Sequence, residues 1–234
     1  MAALRVLITG GGRGIGRAAA LRFAREGAQV VVAARSSDEL DEVAAEVDAA
    51  GGAGLAAQMN VTDLGSVEAA VWRATEFTGG PIDVLVNNAG VFDVIPFDKM
   101  NHKEWSKTID VNLTGAYYVT QESKDALEEG ERPVVINVAS GAAKRGFPGN
   151  TAYCASKYGL KGFGDALRLD FAEKGIRVVT VYPGATDTTI FDDVEGDWDR
   201  SKMNTADEVA EVIFSAVGAG DEVTDLDVPP PTAS

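Results

Sequence analysis

The chain has 234 residues, of which 45% are apolar and 24% charged, a length and composition typical of one soluble globular domain. With 36 acidic and 21 basic side chains, its net charge of −15 disfavours nucleic acid and anionic membranes as partners. The only histidine, His102, excludes a Ser-His-Asp triad and most zinc sites, so no metal is expected.

The first predicted elements are a strand, a glycine-rich turn and a helix. Residues 4–9 are a short apolar run typical of a buried parallel strand, and a helical pattern covers residues 17–26. Between them, residues 10–16 read Gly-Gly-Gly-Arg-Gly-Ile-Gly. Glycines let a backbone approach a pyrophosphate, and a helix N-terminus supplies free N–H groups. This arrangement predicts a nucleotide site, and the absence of a following GK[ST] sequence excludes a P-loop.

The end of the second strand indicates which nucleotide binds. Residues 30–34 are the predicted strand, and a helix is expected from Ser36 to about residue 50. Arg35 follows the strand, where an acidic residue would bind the 2′-hydroxyl of NAD and an arginine suits the 2′-phosphate of NADP. Together with Arg13 in the glycine turn, it favours NADP over NAD, although a solvated pair of arginines is the alternative interpretation.

The third and fourth strands end in small or polar residues. The third covers residues 55–59 and ends at Asn60-Val61, and a helix follows over residues 63–77. The fourth covers residues 82–86 and is followed by Asn-Asn-Ala-Gly at 87–90. Such residues leave room for a ligand at the carboxyl edge of a parallel sheet.

A long helix is then expected over residues 103–128. Asn112 lies in its interior between Val111 and Leu113, although asparagine is a poor helix former that competes for backbone groups. The sequence therefore predicts a bulge or a polar role at Asn112, with simple tolerance on the surface as the alternative.

A fifth strand, residues 133–139, ends at Ser140 and leads through a loop to a helix that carries Tyr153 and Lys157 and extends to about residue 174. Residues four apart share a helix face, about 6 Å apart along the axis. A neighbouring cation favours phenolate, and lowering a phenol pKa from about 10 to 7 needs roughly 4 kcal/mol. A lysine with a second positive centre could supply this and give Tyr153 an acid–base role.

The remaining segments close the predicted fold. A sixth strand covers residues 177–182, and residues 185–204 are an acidic segment expected to form a mobile substrate lid. In that lid, Phe191 and Trp198 either line a pocket or anchor the flap. A capping box at residues 205–208 opens a helix to about residue 217. Residues 223–228 could form a short last strand, and residues 229–234 a loose tail.

Six strands that alternate with helices predict an α/β fold, a Rossmann-type doubly wound parallel sheet formed as a single domain by residues 1–234. The single cysteine, Cys154, cannot form an internal disulfide, which fits a reducing compartment. With no signal peptide or long apolar span in the sequence, a cytoplasmic protein is expected. Its acidity fits either a high-salt cytoplasm or simply an acidic surface.

Taken together, these motifs resemble the short-chain dehydrogenase/reductase family, in its compact single-domain branch. The resemblance covers nearly the whole chain: T-G-x-x-x-G-x-G over residues 9–16, N-N-A-G at 87–90, Y-x-x-x-K from Tyr153 to Lys157, and P-G at 183–184. It also includes Asn112 and Ser140, and the 13-residue gap from Ser140 to Tyr153 matches the family. Asn60 departs from the aspartate that the family often places toward the adenine.

The resemblance implies catalytic roles for four residues. Tyr153 would exchange a proton with the substrate oxygen, Ser140 would hydrogen-bond that oxygen, and Lys157 would lower the tyrosine pKa and hold the nicotinamide ribose. Asn112 would keep a water in a proton relay. The residues implied to bind the cofactor are Gly10, Arg13, Gly14, Ile15, Gly16, Arg35, Asn60, Val61, Asn88, Ala89, Gly90, Tyr153, Lys157, Pro183, Gly184, Thr186 and Thr188.

The implied activity is NADP-dependent hydride transfer on a small carbonyl or secondary alcohol substrate, in a homodimer or homotetramer. One alternative is reduction of a 3-oxoacyl thioester of an acyl carrier or coenzyme A, for which Lys144 and Arg145 could provide a basic patch. Another alternative is an NADP-binding sensor without catalysis, although the intact catalytic set speaks against it.

Overall fold

The computed structural model describes residues 3–192, 194, 196 and 198–231. The end of the predicted loose tail, residues 232–234, and three positions of the predicted lid, residues 193, 195 and 197, lie outside the described residues. None of the helices in the described part of the chain is long and apolar enough to cross a membrane.

The described residues build a seven-stranded sheet in which every pairing is parallel, in the order β3-β2-β1-β4-β5-β6-β7. The strands are β1 (Arg5–Thr9), β2 (Gln29–Ala34), β3 (Ala53–Gln58), β4 (Val84–Asn87), β5 (Val134–Val138), β6 (Arg177–Tyr182) and β7 (Asp225–Asp227). Strand order reverses between β1 and β4, and ligands of open α/β sheets bind at the carboxyl ends of the strands at such a point.

Helices cover both faces of the sheet, which confirms the predicted doubly wound α/β fold. They are α1 (Gly14–Ala24), α2 (Ser37–Ala49), α3 (Leu64–Thr78), α4 (His102–Ile109), α5 (Gly115–Glu128), α6 (Thr151–Phe171) and α7 (Ala206–Gly218). Helices α1, α2 and α7 pack on one face, and α3, α5 and α6 on the other. Because successive side chains of a strand point to opposite faces of the sheet, Val6 and Ile8 pack under α1, α2 and α7, and Leu7 packs on the other face. All three side chains are fully buried.

The predicted long helix is interrupted where the sequence indicated a bulge. Helix α4 ends at Ile109, a π-helical turn covers Asp110–Thr114, and α5 begins at Gly115. Asn112 is the buried residue of this turn. The bulge expected from this asparagine is therefore confirmed, in line with the frequent occurrence of π-turns at functional sites.

The starts of β3 and β4 each differ by two residues from the prediction. β3 starts at Ala53 instead of residue 55, because Ala53 and Gly54 pair with β2, although small residues carry little strand signal. At Gly54, a Cβ would lie 2.4 Å from the Ala44 carbonyl oxygen, so only glycine lets α2 pack this closely. β4 starts at Val84 instead of residue 82, because the backbone N–H of Ile82 donates to the Ala126 carbonyl oxygen in α5 and not to a neighbouring strand.

Residues 185–204, the predicted lid, form a loop whose base is closed by a parallel bridge between Thr186 and Asn204. Two short 3-10 turns, Thr189–Phe191 and Arg200–Lys202, give its described part regular structure. Arg200 donates hydrogen bonds to Asp187 and Asp192, both within the loop. The loop is therefore held together by its own polar contacts, while its mobility stays a prediction.

The Arg5–Asp83 ion pair fastens the start of β1 to the start of β4. Arg5 Nε and Nη2 lie 2.8 Å and 2.7 Å from the two carboxylate oxygens, and the backbone N–H groups of Arg5 and Glu131 also donate to them. Burial alone would raise the pKa of Asp83, but the hydrogen bonds from Arg5 and Glu131 outweigh it and hold the pKa below its ordinary value.

We expect Asp83→Asn to lower the free energy of unfolding by about 3 kcal/mol at pH 7, because it leaves a half-enclosed guanidinium without its charge partner. The pKa of Asp83 in the folded protein lies below the unfolded value of about 3.9. The ion pair therefore contributes its full stabilisation above about pH 3.9, and this stabilisation is lost as the pH falls through the folded pKa. Urea unfolding measured from pH 7 to pH 3 checks both statements. The exposed Asp41, replaced by asparagine, should change stability by less than about 0.5 kcal/mol; equal effects of the two variants would contradict the assignment.

Candidate active site

A cavity of about 680 Å3 opens at the carboxyl ends of the central strands, where the strand order reverses. This volume is within the range of small-molecule and cofactor sites. Among the residues predicted to bind cofactor or substrate, the following line it: Gly10, Arg13, Gly14, Ile15, Arg35, Asn60, Val61, Asn88, Ala89, Gly90, Ser140, Tyr153, Lys157, Pro183, Gly184, Thr186 and Thr188. Two predicted residues, Gly16 and Asn112, do not line the cavity and lie behind its wall.

The glycine turn between β1 and α1 is packed against the end of β4. The Asn88 side-chain amide donates to the carbonyl oxygens of Thr9 and Gly10, at 2.9 Å and 3.1 Å. The Thr9 hydroxyl oxygen accepts the N–H groups of Asn88 and Ala89, each at 3.0 Å. A Cβ on Gly16 would lie 2.1 Å from the Gly10 carbonyl oxygen, so this position excludes every side chain.

Two other positions of the turn require glycine for its backbone freedom. Gly10 and Gly14 have φ values of 65° and 55°, in the left-handed region that side chains disfavour. A Cβ on Gly14 would also approach the Thr188 side chain to 3.2 Å, so the turn lies directly against the segment after β6. The result is a cradle of bare backbone facing the cavity at the N-terminus of α1, where a pyrophosphate fits.

The charge of the cavity wall is opposite to that of the protein. Its charged lining residues are the cations Arg13, Arg35, Arg145 and Lys157 and the carboxylate Glu39. Within residues 3–192, 194, 196 and 198–231, none of these four cations is paired with a carboxylate, although fifteen ion pairs occur elsewhere. In a chain of net charge −15, this concentration of cations fits an anionic ligand such as a dinucleotide.

Tyr153 and Lys157 lie in the first two turns of α6, with the Lys157 ammonium 5.7 Å from the centre of the tyrosine ring. Lys157 Nζ donates to the carbonyl oxygen of Val138 at the end of β5, at 2.9 Å. Burial lowers the pKa of Lys157 to about 8. A buried lysine with this pKa is still largely protonated at neutral pH, so it can hold hydroxyl oxygens in the cavity.

The pKa of Tyr153 lies above its ordinary value because burial of the phenol raises it, while the Ser140 hydroxyl next to it lowers it. This is opposite to the lowering expected from a neighbouring lysine. The cause is that desolvation of the phenolate by burial outweighs the hydrogen bond from Ser140. With its pKa raised, Tyr153 carries its proton at neutral pH.

The Asn112 side chain connects the π-helical turn to the segment after β4 and to helix α6, both of which contribute residues to the cavity. Its side chain accepts the Val91 N–H at 2.8 Å and donates to the Val91 carbonyl oxygen and the Ser156 hydroxyl, each at 3.0 Å. The Ser156 hydroxyl donates in turn to the Tyr153 carbonyl oxygen at 2.7 Å. The amide is therefore fully used in positioning, and the proton relay implied for Asn112 stays a prediction.

Sequence reasoning missed an aromatic wall beside Tyr153. Phe92 stands edge-on to the Tyr153 ring, with the two ring centroids 4.8 Å apart. The ring centroids of Phe191 and Trp198 lie 5.5 Å and 6.1 Å from that of Phe92. Phe191 and Trp198 line the cavity, as one of the two interpretations of the lid expected. Phe92 follows the fourth strand by five residues in an irregular loop, and no pattern in the sequence distinguishes it from its neighbours.

The basic patch suggested for an acyl carrier is reduced to one residue. Lys144 pairs with Asp227 of β7 at 2.5 Å and lies 3.9 Å from the centre of the Tyr182 ring, and it does not line the cavity. Arg145 does line the cavity, with its guanidinium 4.8 Å from the centre of the Phe147 ring.

No group of three or more metal-ligating side chains occurs among the residues that the structure describes. The polar groups of Ser140, Tyr153 and Lys157 that line the cavity are a hydroxyl, a phenol and an ammonium. Ser140 and Lys157 both lie beside Tyr153, and the three residues line the same cavity as the glycine turn.

Comparison with known proteins places this geometry in a family context. Residues 5–198 match the sequence model of the family described as short chain dehydrogenase. The chain is 37% identical over 187 residues to a 3beta-hydroxysteroid dehydrogenase of Eggerthella lenta, covering 79% of this chain and 71% of that relative. It is 39% identical over 186 residues to a 3-oxoacyl-[acyl-carrier-protein] reductase of Synechocystis, covering 78% and 75%.

Solved structures agree with these sequence matches. An alcohol dehydrogenase of the archaeon Thermococcus sibiricus, complexed with 5-hydroxy-NADP, superposes with a TM-score of 0.89 at 25% identity, covering 99% of this chain and 100% of that one. A short chain dehydrogenase of Burkholderia cenocepacia in complex with NADP gives a TM-score of 0.87 at 32% identity, covering 96% of each chain.

We expect Gly16→Ala to lower the free energy of unfolding by about 3 kcal/mol, because the new Cβ overlaps the Gly10 carbonyl oxygen and must push the turn away from Asn88. Thermal unfolding measures this loss, and nucleotide titration of the folded fraction should show weakened binding. The control is Gly162→Ala in α6, where a Cβ meets nothing within 4 Å and alanine should stabilise the helix by about 0.5–1 kcal/mol. A Gly16 variant as stable as wild type would contradict the packing described.

Proposed function

The chain belongs to the short-chain dehydrogenase family of oxidoreductases, and from this premise we propose that it is an NADP-dependent enzyme acting on a carbonyl or secondary alcohol. The observation that carries the proposal is the convergence of Ser140, Tyr153 and Lys157 on the cavity that the glycine turn also lines. Bound NADPH would supply a hydride to the carbonyl carbon and leave as the oxidised nucleotide.

The residues present fit a dinucleotide. The Gly10–Gly16 turn offers backbone that a single Cβ would block, and Arg13 and Arg35 offer charges that no carboxylate in the described part of the chain neutralises. Arg35 is exposed at the end of β2, where a guanidinium can reach a 2′-phosphate. The NADP complexes among the structural neighbours support the same nucleotide.

Tyr153 is proposed to give its proton to the substrate oxygen during reduction. Its raised pKa keeps the phenol protonated, which suits an acid, and the nearby Ser140 hydroxyl can hydrogen-bond the same oxygen. Lys157 is proposed to hold ribose hydroxyls and to stabilise the phenolate that remains. An oxidised nicotinamide would add positive charge beside the phenol and lower its pKa for the reverse reaction.

Reduction of a 3-oxoacyl thioester is a second candidate, supported by the Synechocystis relative and by Arg145 at the cavity. The pairing of Lys144 with Asp227 argues against it, because an acyl carrier needs more than one exposed cation beside the site. A ketone panel that includes a 3-oxoacyl thioester separates the two candidates by their relative kcat/KM.

We expect Tyr153→Phe to lower kcat by about a thousandfold while the Kd for NADPH changes less than about threefold, because only the proton donor is lost. Steady-state oxidation of NADPH and fluorescence titration measure the two quantities. Tyr158→Phe is the matched control on the same helix, since this tyrosine is 47% exposed and does not line the cavity. A Tyr153 variant that keeps more than a tenth of wild-type kcat would argue for a different acid, and an absence of wild-type turnover would favour a sensor.

For Arg35→Ala, the Kd for NADPH should rise by about thirtyfold, which corresponds to about 2 kcal/mol for a charge-assisted contact to phosphate. The Kd for NADH should stay within about twofold, because NADH lacks the 2′-phosphate. Isothermal titration with both nucleotides tests this difference. The control is Arg25→Ala, an exposed arginine at the end of α1 that does not line the cavity. Equal weakening of both nucleotides would show that Arg35 acts through the fold and not through the phosphate.

A further inference from the structure

Four aromatic side chains form a continuous group at the reacting end of the cavity, here called the Phe92 cluster: Phe92, Tyr153, Phe191 and Trp198. Phe92 is its centre, with the other three rings 4.8–6.1 Å away and tilted at 64–72° to it. Phe191 and Trp198 also contact each other at 4.9 Å. All four are only partly buried, and each lines the cavity. Such edge-to-face packing leaves ring faces available to a further ring.

The far side of the cluster is held in place by the lid backbone. Trp198 Nε1 donates to the Val194 carbonyl oxygen at 3.1 Å. At Gly196, where φ is 152°, a Cβ would lie 2.8 Å from the same indole nitrogen. Among the described residues, the indole therefore packs against the backbone of Val194 and Gly196. The cluster is a built wall of the cavity.

The wall adjoins the group proposed to transfer the proton. A substrate whose oxygen reaches the Tyr153 hydroxyl can bring a substituent of its reacting carbon beside the Tyr153 ring, against which Phe92 packs. Val91 and Ile190, the chain neighbours of Phe92 and Phe191, also line the cavity and are apolar. No carboxylate among the described lining residues lies at this end, since Glu39 contacts the glycine turn at Gly12. The chemistry that fits here is apolar and ring-shaped.

From this geometry we propose that the enzyme selects ketones and secondary alcohols that carry a ring next to the reacting carbon, and that Phe92 is the residue that determines this specificity. The inference rests on the proposed function and names its substrate class. A ring presents a broad apolar surface to this wall, and it loses less conformational freedom on binding than a chain of equal carbon number.

The test compares two methyl ketones of equal carbon number, one with a cyclohexyl group and one with a straight chain. With NADPH, wild-type kcat/KM should favour the ring ketone by about tenfold. Phe92→Ala should reduce that ratio to about one, and Phe92→Leu, which keeps apolar volume without the ring, should reduce it similarly. Phe97→Ala is the control, because this phenylalanine lies on the same segment, is 77% exposed and does not line the cavity; its ratio should equal that of wild type.

Each outcome decides the proposal. The proposal is overturned if the wild-type ratio of kcat/KM for ring over straight-chain ketone is near one, or if both Phe92 variants keep the wild-type ratio. If only the leucine variant keeps it, the apolar volume at position 92 and not the aromatic ring selects the substrate. If neither ketone is turned over, that result counts against the proposed function but does not decide whether Phe92 selects ring ketones. In that case the Kd of each ketone for the protein is measured by calorimetry. Tighter binding of the ring ketone that Phe92→Ala abolishes then supports the aromatic site, and equal binding overturns it.

Discussion

The contact that most of the structure depends on is the close approach of the glycine turn to the end of β4. The Asn88 amide and the Thr9 hydroxyl join these two segments, and the space between them is too small for one Cβ at Gly16. Because β1 and β4 flank the reversal of strand order, this contact sets the floor of the cavity. It also fixes where α1 begins, and therefore where its N–H groups point.

A second network of hydrogen bonds positions the cavity wall that carries Tyr153 and Lys157. Asn112 holds the segment after β4 by its backbone and reaches α6 through Ser156, while Lys157 reaches the end of β5. Three chain segments that are distant in sequence therefore share a few buried hydrogen bonds. The π-helical turn serves this network, since an uninterrupted helix would place the amide differently around the axis.

The sequence was sufficient for the order of strands and helices, the turn, and the bulge at Asn112, because each has a local signal in periodicity, glycine spacing or propensity. It was insufficient where the outcome depends on long-range packing. The start of β3 depends on how closely α2 approaches Gly54, and the removal of Lys144 from the proposed patch depends on a partner in β7. The direction of the Tyr153 pKa depends on burial, and the place of Phe92 on how two loops meet.

The pairing of Lys144 with Asp227 has a consequence for the timing of synthesis. Lys144 lies four residues after Ser140, and its carboxylate partner is made 83 residues later. The loop after Ser140 leaves the ribosome well before residues 225–227, so it lacks this anchor until synthesis of the chain is nearly complete. Because a domain generally folds as a unit, the final bracing of this loop waits for the last strand of the sheet.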